Sequence, residues 1–472
     1  MGACGEKGKD ASCRGAMGTS GGRGEVAERR EDAVVTGWSV DTRTLESGDL
    51  YFALRGPKHD GHEYAGRAMA QGAAGVVTER PMDGALVVSD TLRALQRLAG
   101  SARARWAGTV VGVTGSAGKT STKDAIAHLL GAVFPVGKTV GNLNNHVGVP
   151  LSILRLPEEA GVAVLEMGMN HAGEIRELCA IARPDVGVVT NVGWAHAENF
   201  APSDDGRALA IDGIALAKRE LIESLPAGGT AILNADDERV ARFAEVHAGP
   251  KVTFGILKPA EVRGEDVELS VSGVRFKACG IEFESQVAGR HGVMNILAGI
   301  AAARVFGVPA ARLVEAVRSL TPGTMRGEQL VREGVRILND CYNSNPEAAR
   351  AMVDVLQATP ARRRIAVLGE MLELGRLAEP LHREVGSYVA GRGIDVLIGI
   401  RGAARHMVDE AILAGLPGGA AYFFEDPAEA GDFAGGLAEP GDAVLFKGSR
   451  GVQVEKAMER LLEKLPPPPV KF

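Results

Sequence analysis

The segment Gly112-Val-Thr-Gly-Ser-Ala-Gly-Lys-Thr-Ser-Thr122 constrains this chain more than any other. It follows the apolar run Thr109-Val-Val-Gly-Val-Thr114, which reads as a buried strand, and opens a helical pattern after Lys119. In a strand–turn–helix of this kind the backbone N–H groups of Gly115, Ser116, Ala117 and Gly118 form a concave nest for phosphate oxygens, and the helix N-terminus adds a favourable dipole. Lys119 would reach the terminal phosphates, the Thr120 hydroxyl would ligate Mg²⁺, and Ser121 completes the cradle. The general motif asks for Gly five positions before Gly118, where this chain has Val113. Idle glycine turns between strand and helix are common, but Gly-Lys-Thr-Ser in this setting points to a bound nucleotide.

Around this loop the pattern is α/β. Apolar strands recur at Val162–Glu166, Val186–Thr190 and Thr230–Asn234 with helical segments between them, which predicts a parallel sheet covered by helices. Residues 251–287 alternate apolar and polar and predict a small antiparallel patch. Helices are expected at Val293–Phe306 and Ala310–Leu320. Upstream, short strands at Leu50–Leu54, Gly75–Thr78 and Ala85–Val88 with one helix near Glu63–Gln71 predict a small separate α/β module. Downstream of Pro322-Gly323, strands near Val335–Asn339, Arg364–Leu368, Val396–Ile400 and Ala443–Lys447 predict another α/β unit. At 472 residues, several domains are the natural division. We place them at 34–107, 108–321 and 322–472, after a disordered tail over 1–33, with Pro466–Pro469 as an extended end.

Bulk properties narrow the function. A net charge of -6 leaves no electrostatic footprint for nucleic acid. No apolar run is long enough for membrane insertion. Five scattered cysteines, without a CxxC pair, support neither a disulfide framework nor a zinc site and fit a reducing compartment. Glu166 and His196 fall at or just beyond the carboxyl ends of predicted strands, where open parallel sheets bind ligands. A carboxylate there suits Mg²⁺. Alone, Glu166 could equally be a helix-capping acid, and His196 an ordinary structural histidine.

The motifs together resemble the Mur ligase family. Thr114-Gly-Ser-Ala-Gly-Lys-Thr120 has that family's form of the loop, including Val113. Glu166-Met-Gly-Met-Asn170, Thr190-Asn191 and Ala195-His196-Ala-Glu198 follow in the family's order. Four further motifs point, within the family, to joining D-alanyl-D-alanine to UDP-N-acetylmuramoyl-tripeptide: Gly141-Asn-Leu-Asn-Asn145, Asp340-Cys-Tyr-Asn-Ser-Asn-Pro346, Gly369-Glu-Met-Leu-Glu-Leu-Gly375 and Lys447-Gly-Ser-Arg450. The resemblance implies three domains: a UDP-sugar module, a central ATPase and a C-terminal Rossmann-like domain. It implies a cytoplasmic, monomeric ATP-dependent carboxylate–amine ligase of peptidoglycan precursor synthesis that works through an acyl phosphate.

For individual residues, the resemblance implies that Lys119, Lys218 and His196 are catalytic. Thr120, Glu166, His196 and a carbamylated Lys218 would hold two Mg²⁺ ions. Asn191 and Asn295 would contact adenine, Arg326 a phosphate, and Asp340 the ribose. Asp41, Thr42, Arg43, Asp60, Gly61 and His62 would grip the uridine nucleotide. Asn144 and Asn145 are assigned to substrate, and Asn343 and Asn345 to the incoming dipeptide. Without the family, Lys218 reads as an exposed helix lysine, Asp340 as a turn acid, and the last two asparagines as turn formers before Pro346.

Three departures stand out. Ala201–Ile211 reads as an insertion before the helix carrying Lys218, with Asp212 able to cap that helix. Gly292 stands where the family prefers Asn, and the segment before Val34 lacks the family's opening helix. Two rival ligases fit less well. A ligase adding a diamino acid would carry an Asp-Asn-Pro-Arg signature, which is absent, and a folate polyglutamylating ligase would lack the uridine module. From another class, a P-loop binding protein with a degraded site is the alternative.

Overall fold

The computed structural model describes residues 34–200, 207–270 and 273–465. The expected tail over 1–33 and the Pro466–Pro469 end lie outside the described residues. The chain separates into two compact units, one formed by the described residues up to Ala102 with Ile153–Arg155, the other by Arg103–Ser152 and Leu156 onward.

The first unit is built on a four-stranded parallel sheet of β1 (Gly37–Ser39), β2 (Asp49–Phe52), β3 (Gly75–Thr78) and β4 (Ala85–Val87), in that order. Tyr51, Ala53, Ala65, Ala68 and Val76 form its core. The single expected helix is a 3-10 turn at Gly61–Tyr64 leading into Ala65–Ala70. A second helix, Thr91–Arg105, was not legible in the sequence. Of its fifteen residues only Thr91, Leu95 and Ala99 are buried, too narrow a stripe to read as a helical period.

The second unit holds a seven-stranded sheet, all parallel, in the order β11-β10-β9-β8-β5-β7-β6. Its strands are β5 (Thr109–Thr114), β6 (Val136–Lys138), β7 (Val162–Glu166), β8 (Val186–Val189), β9 (Thr230–Asn234), β10 (Lys251–Gly255) and β11 (Val262–Arg263). Four of these, β5 and β7 to β9, are buried almost throughout, as strands covered on both faces must be. The helices Lys119–Gly131 and Gly289–Val305 pack on one face around Ile126, Leu129, Leu130, Ile296 and Leu297.

The expected antiparallel patch is smaller than 251–287. β10 and β11 extend the parallel sheet, and only β12 (Glu265–Ser270), β13 (Gly273–Ala278) and β14 (Ile281–Ser285) are antiparallel. Alternation alone did not separate a parallel edge from a hairpin.

A six-stranded sheet follows in the order β15-β16-β20-β17-β18-β19. It comprises β15 (Glu328–Arg332), β16 (Val335–Asp340), β17 (Arg364–Gly369), β18 (Val396–Ile400), β19 (Ala421–Phe424) and β20 (Ala443–Lys447). All pairs are parallel except β15–β16. In the central sheet the chain leaves β5 for β6 and β7 on one side and continues to β8 on the other. The glycine-rich loop therefore lies at the switch point where such sheets bind ligands. In the C-terminal sheet the corresponding edge carries Asp340 and Lys447, paired in register.

The reading of Ala201–Ile211 as an insertion is corrected in part. Residues 207–211 are the first turns of the Arg207–Glu223 helix, the same helix that carries Lys218. Asp212 is consequently inside the helix rather than at its cap, and it pairs with Arg239 at 3.2 Å. The 201–206 stretch lies outside the described residues. Gly292 has a packing reason, since a Cβ there would lie 2.7 Å from Val287 Cγ1.

Candidate active site

The loop after β5 owes its shape to two glycines. Gly118, at φ +77°, caps the Lys119–Gly131 helix in the left-handed region. Gly115, at φ +150°, packs so closely that a Cβ would fall 1.8 Å from Thr190 Oγ1. The loop is then fastened to the strand end after β8. The Thr190 hydroxyl donates to the Ala117 carbonyl at 2.7 Å. Asn191 accepts from Ala117 N–H at 2.8 Å and donates to its carbonyl at 3.0 Å. The Ser116 hydroxyl donates to the Gly193 carbonyl and accepts from Gly193 N–H, both at 2.8 Å. Asn191, expected at adenine, thus has its amide engaged with the phosphate loop itself. Asn295 accepts from the Thr122 hydroxyl at 2.9 Å.

Charged groups converge beneath this loop. Lys119 Nζ donates to the Gly115 carbonyl at 2.8 Å. Desolvation lowers its pKa, the Glu166 carboxylate works against that, and Arg326 reinforces it. Glu166 ends β7 and is buried; its Oε1 accepts from Asn144 Nδ2 at 2.7 Å, whereas Oε2 is buried with no protein partner. An unpaired buried carboxylate oxygen is costly unless a ligand satisfies it. Lys218 is 1% exposed, contrary to the surface lysine its local sequence implies. Burial, aided by the nearby charge of Lys119, holds its amine well below the ordinary lysine value. His196 sits at φ +62° with Nδ1 2.6 Å from Glu373 Oε2, and this contact holds the Glu373 carboxyl below the usual range.

From the other sheet, Lys447 Nζ donates to Asp340 Oδ2 at 2.5 Å and to the Asn343 carbonyl at 2.8 Å. The Arg326 guanidinium stacks on Tyr342, 3.9 Å from the ring centre. Asn345 caps the Pro346–Ala358 helix through Ala348 N–H at 2.8 Å and donates to the Ser116 carbonyl at 3.2 Å. Asn145 accepts from Val147 and Gly148 N–H at 3.1 and 2.9 Å.

Apart from Gly115 and Lys218, every residue of this unit expected at the site lines one cavity of about 940 Å³. A second cavity of about 500 Å³ continues from it past Asn234, Asp237, His291 and Met294. Sequence reasoning missed Lys447, Glu373, Tyr342 and Glu347 as site residues. The first three lie in motifs singled out by resemblance, and that was their only signal.

In the first unit, Arg43 Nε and Nη2 clasp the Asp41 carboxylate at 2.9 and 2.6 Å, with the arginine largely exposed. Thr42 is buried. His62 is buried as well, and both ring nitrogens are engaged: Nε2 accepts from Glu79 N–H at 3.0 Å, so Nδ1 carries the proton donated to Asp60 at 2.6 Å. Asp60 also accepts from Arg80 at 2.6 Å. Gly61 is confined by the Leu54 backbone, 2.6 Å from where a Cβ would be. His62 and Gly61 therefore shape this turn, and Asp60, Arg80 and Arg43 present its polar surface.

A parallel and a mostly parallel sheet, a phosphate loop at one switch point and a buried carboxylate–lysine set beside it define a nucleotide-dependent enzyme. Family models match along the chain: "Mur ligase family, catalytic domain" over 34–106, "Mur ligase middle domain" over 113–303 and "Mur ligase, glutamate ligase domain" over 325–450. A Synechocystis protein named UDP-N-acetylmuramoyl-tripeptide–D-alanyl-D-alanine ligase is 36% identical over 93% of this chain and 95% of its own. The crystal structure of MurF from Acinetobacter baumannii superposes with a TM-score of 0.82 at 30% identity, covering 91% of this chain and 94% of that one. MurF ligase from Thermotoga maritima, solved in complex with ADP, gives 0.80 at 28% identity, covering 92% and 99%. The chain belongs to the Mur ligase family and is an ATP-dependent ligase.

Proposed function

We infer that this enzyme joins D-alanyl-D-alanine to UDP-N-acetylmuramoyl-tripeptide, giving the UDP-linked pentapeptide, ADP and phosphate. The observation that carries the reading is the convergence on one cavity of the phosphate loop, Glu166 and His196 from one sheet with Arg326, Asp340 and the asparagines of the other. Similarity over 92% and 93% of the chain to ligases named for this reaction supports it.

The family resemblance implies the chemistry, and the arrangement suits it. The tripeptide's terminal carboxylate attacks the γ-phosphorus, an O–P bond forms, the β–γ bridge breaks and ADP leaves. The dipeptide amine then attacks the acyl carbon, the tetrahedral intermediate collapses, and the C–O bond to phosphate breaks as the amine proton is lost. The protein's share is positioning and charge neutralisation. Lys119 faces the transferring phosphoryl group, and the Gly115–Gly118 N–H groups hold the rest of the triphosphate. Arg326, stacked on Tyr342, reaches a phosphate from the C-terminal side. Asp340, oriented by Lys447, takes the ribose, and the cavity past Asn191 and Asn295 takes adenine.

The unpartnered Oε2 of Glu166 fits a cation, and with Thr120, His196 and a carbamylated Lys218 it would hold two Mg²⁺ ions. Bound there, Mg²⁺ neutralises charge building on the phosphoryl oxygens. Among the described residues no three His, Cys, Asp or Glu side chains gather as a metal cluster. Mg²⁺ takes much of its coordination from substrate phosphates and water. Burial lowers the pKa of the Lys218 amine, which favours the neutral form that carbamylation requires.

Asp41, Thr42, Arg43, Asp60, Gly61 and His62 form the uridine-nucleotide end. Asn144 and Asn145 are assigned to the tripeptide, and Asn343 and Asn345 to the dipeptide. As the family resemblance implies, we place the enzyme in the cytoplasm as a monomer. No described helix is long and apolar enough to cross a membrane. Phosphate release measured with ATP, Mg²⁺, UDP-tripeptide and D-alanyl-D-alanine tests the reading. Release should require both the tripeptide and the dipeptide, and release independent of the dipeptide, or none, would overturn it.

A further inference from the structure

The expected site residues leave Glu347 without a role, yet it links a helix of the C-terminal sheet to the strand end after β8. It occupies the second position of the Pro346–Ala358 helix and projects onto the turn after β8. Trp194 N–H donates to its two oxygens at 3.3 and 3.2 Å. Residue 193 must be glycine for this contact, since a Cβ there would lie 2.4 Å from the Glu347 carboxyl carbon. The same Gly193 exchanges hydrogen bonds with the Ser116 side chain, and the Ser116 carbonyl accepts from Asn345. Glu347, Gly193–Trp194, Ser116 and Asn345 thus close a ring that joins the N-terminal end of the C-terminal helix to the phosphate loop directly through Asn345 and indirectly through the Gly193–Trp194 turn. A second tether runs beside it. The Arg207 guanidinium lies 5.1 Å over the Trp194 ring and pairs with Glu384, which also binds Arg350, one turn beyond Glu347, at 2.8 Å.

We propose that Glu347 is a positioning residue for the ligation, seating the C-terminal domain on the Gly193–Trp194 turn so that its dipeptide-binding face and Arg326 stay in register with the phosphate loop. The proposal rests on the ligase reading above. A carboxylate is suited to the task because it accepts from backbone N–H without needing a side-chain partner; burial raises its pKa, and the hydrogen bonds at the helix N-terminus and from Trp194 offset part of that. Direct coordination of substrate is not required of it.

The test uses the full-length enzyme and a double-mutant cycle over Glu347→Ala, Glu347→Gln, Gly193→Ala and Gly193→Ala with Glu347→Ala together. Wild-type turnover is the control for the ligase reading; if wild type fails to ligate, that reading fails and not this one. With an active wild type, Glu347→Ala should lower kcat at least about tenfold while ADP affinity changes less than about threefold. Glu347→Gln, whose carbonyl still accepts from Trp194, should keep kcat within about threefold of wild type. Gly193→Ala should match Glu347→Ala, and the double variant should be no worse than either, because removing the carboxylate makes room for the new methyl. Hydrogen exchange of residues 193–196 with ADP bound should rise in Glu347→Ala, and this reading does not depend on turnover. A Glu347→Ala enzyme with wild-type kcat and exchange, or single losses that simply multiply in the double variant, overturns the proposal. If Glu347→Ala does not fold, the Glu347→Gln and Gly193→Ala pair decides: Gly193→Ala at wild-type kcat overturns the proposal, and a tenfold loss confined to Gly193→Ala supports it.

Discussion

The two ends of the central sheet are built by opposite rules. At the amino end, every prominent polar group has a protein partner. Arg103 donates to the carbonyls of Ala182, Trp106, Gly108 and Arg183 and pairs with Asp185 at 2.9 Å, and Asp185 also accepts from Val110 N–H at 2.8 Å. Trp106 Nε1 donates to the Ala160 carbonyl at 3.0 Å. At the carboxyl end, Glu166 keeps a buried oxygen unpaired, and two lysines are held below their ordinary pKa beside it. The first end is optimised for stability. The second stores unsatisfied charge for a ligand to complete, which is where function is expected to reside.

The comparison can be broken most decisively at Lys119. Lys119→Ala should lower kcat by about 10²- to 10³-fold or more while the protein still folds, because the lost ammonium chiefly serves the phosphoryl group and gives up only a hydrogen bond to the Gly115 carbonyl. Retained activity measured by phosphate release would refute the whole assignment.

Lys218→Met should cost about 10²-fold or more in turnover yet raise stability by about 1–2 kcal/mol, since an apolar side chain suits the buried position better than an amine. The sign of the pH effect follows. The folded pKa lies below the unfolded one, so between the two the unfolded chain binds the extra proton, and stability rises with pH toward the ordinary value of 10.5. Lys218→Met should remove that slope in denaturant titrations, and activity of the wild type should depend on bicarbonate.

At the amino end the outcome should invert. Arg103→Ala should destabilise by about 2–3 kcal/mol by stranding several carbonyls, while kcat of the folded enzyme stays near wild type. A large kcat loss there would erase the distinction between the ends.

An effect confined to acid pH belongs to His382, which is fully buried, donates from Nδ1 to the Ala378 carbonyl and accepts at Nε2 from Met371 N–H. Burial lowers its pKa from 6.5 to about 4. The unfolded chain alone is protonated in that window, so stability should fall by up to about 3 kcal/mol as pH drops through it. Thermal midpoints of the wild type and His382→Leu between those pH values should converge as the wild type loses its advantage.

How much was legible depended on burial. β5, β7, β18 and β20 match the expected ranges residue for residue, because strands covered on both faces are continuous apolar runs bounded by turns. β15 and β19 were not foreseen; they are edge strands whose residues are only partly buried and carry no strong pattern. The phosphate loop was readable from local spacing alone, since its function lies in its own backbone. Asn191, by contrast, looked like a ligand contact, and only the fold revealed that its amide holds Ala117.

The sequence by itself determined the α/β class, the phosphate loop, the order of motifs and hence the family. Those properties are encoded within short windows, through periodicity, turn residues and motif spacing. Only the tertiary structure decided that Lys218 is buried beside Lys119, that Glu166 keeps one oxygen open, that Lys447 orients Asp340, and that Glu347 reaches the turn after β8. Each of those depends on residues tens to hundreds of positions apart, and burial and charge acquire their meaning only when packing brings such residues together.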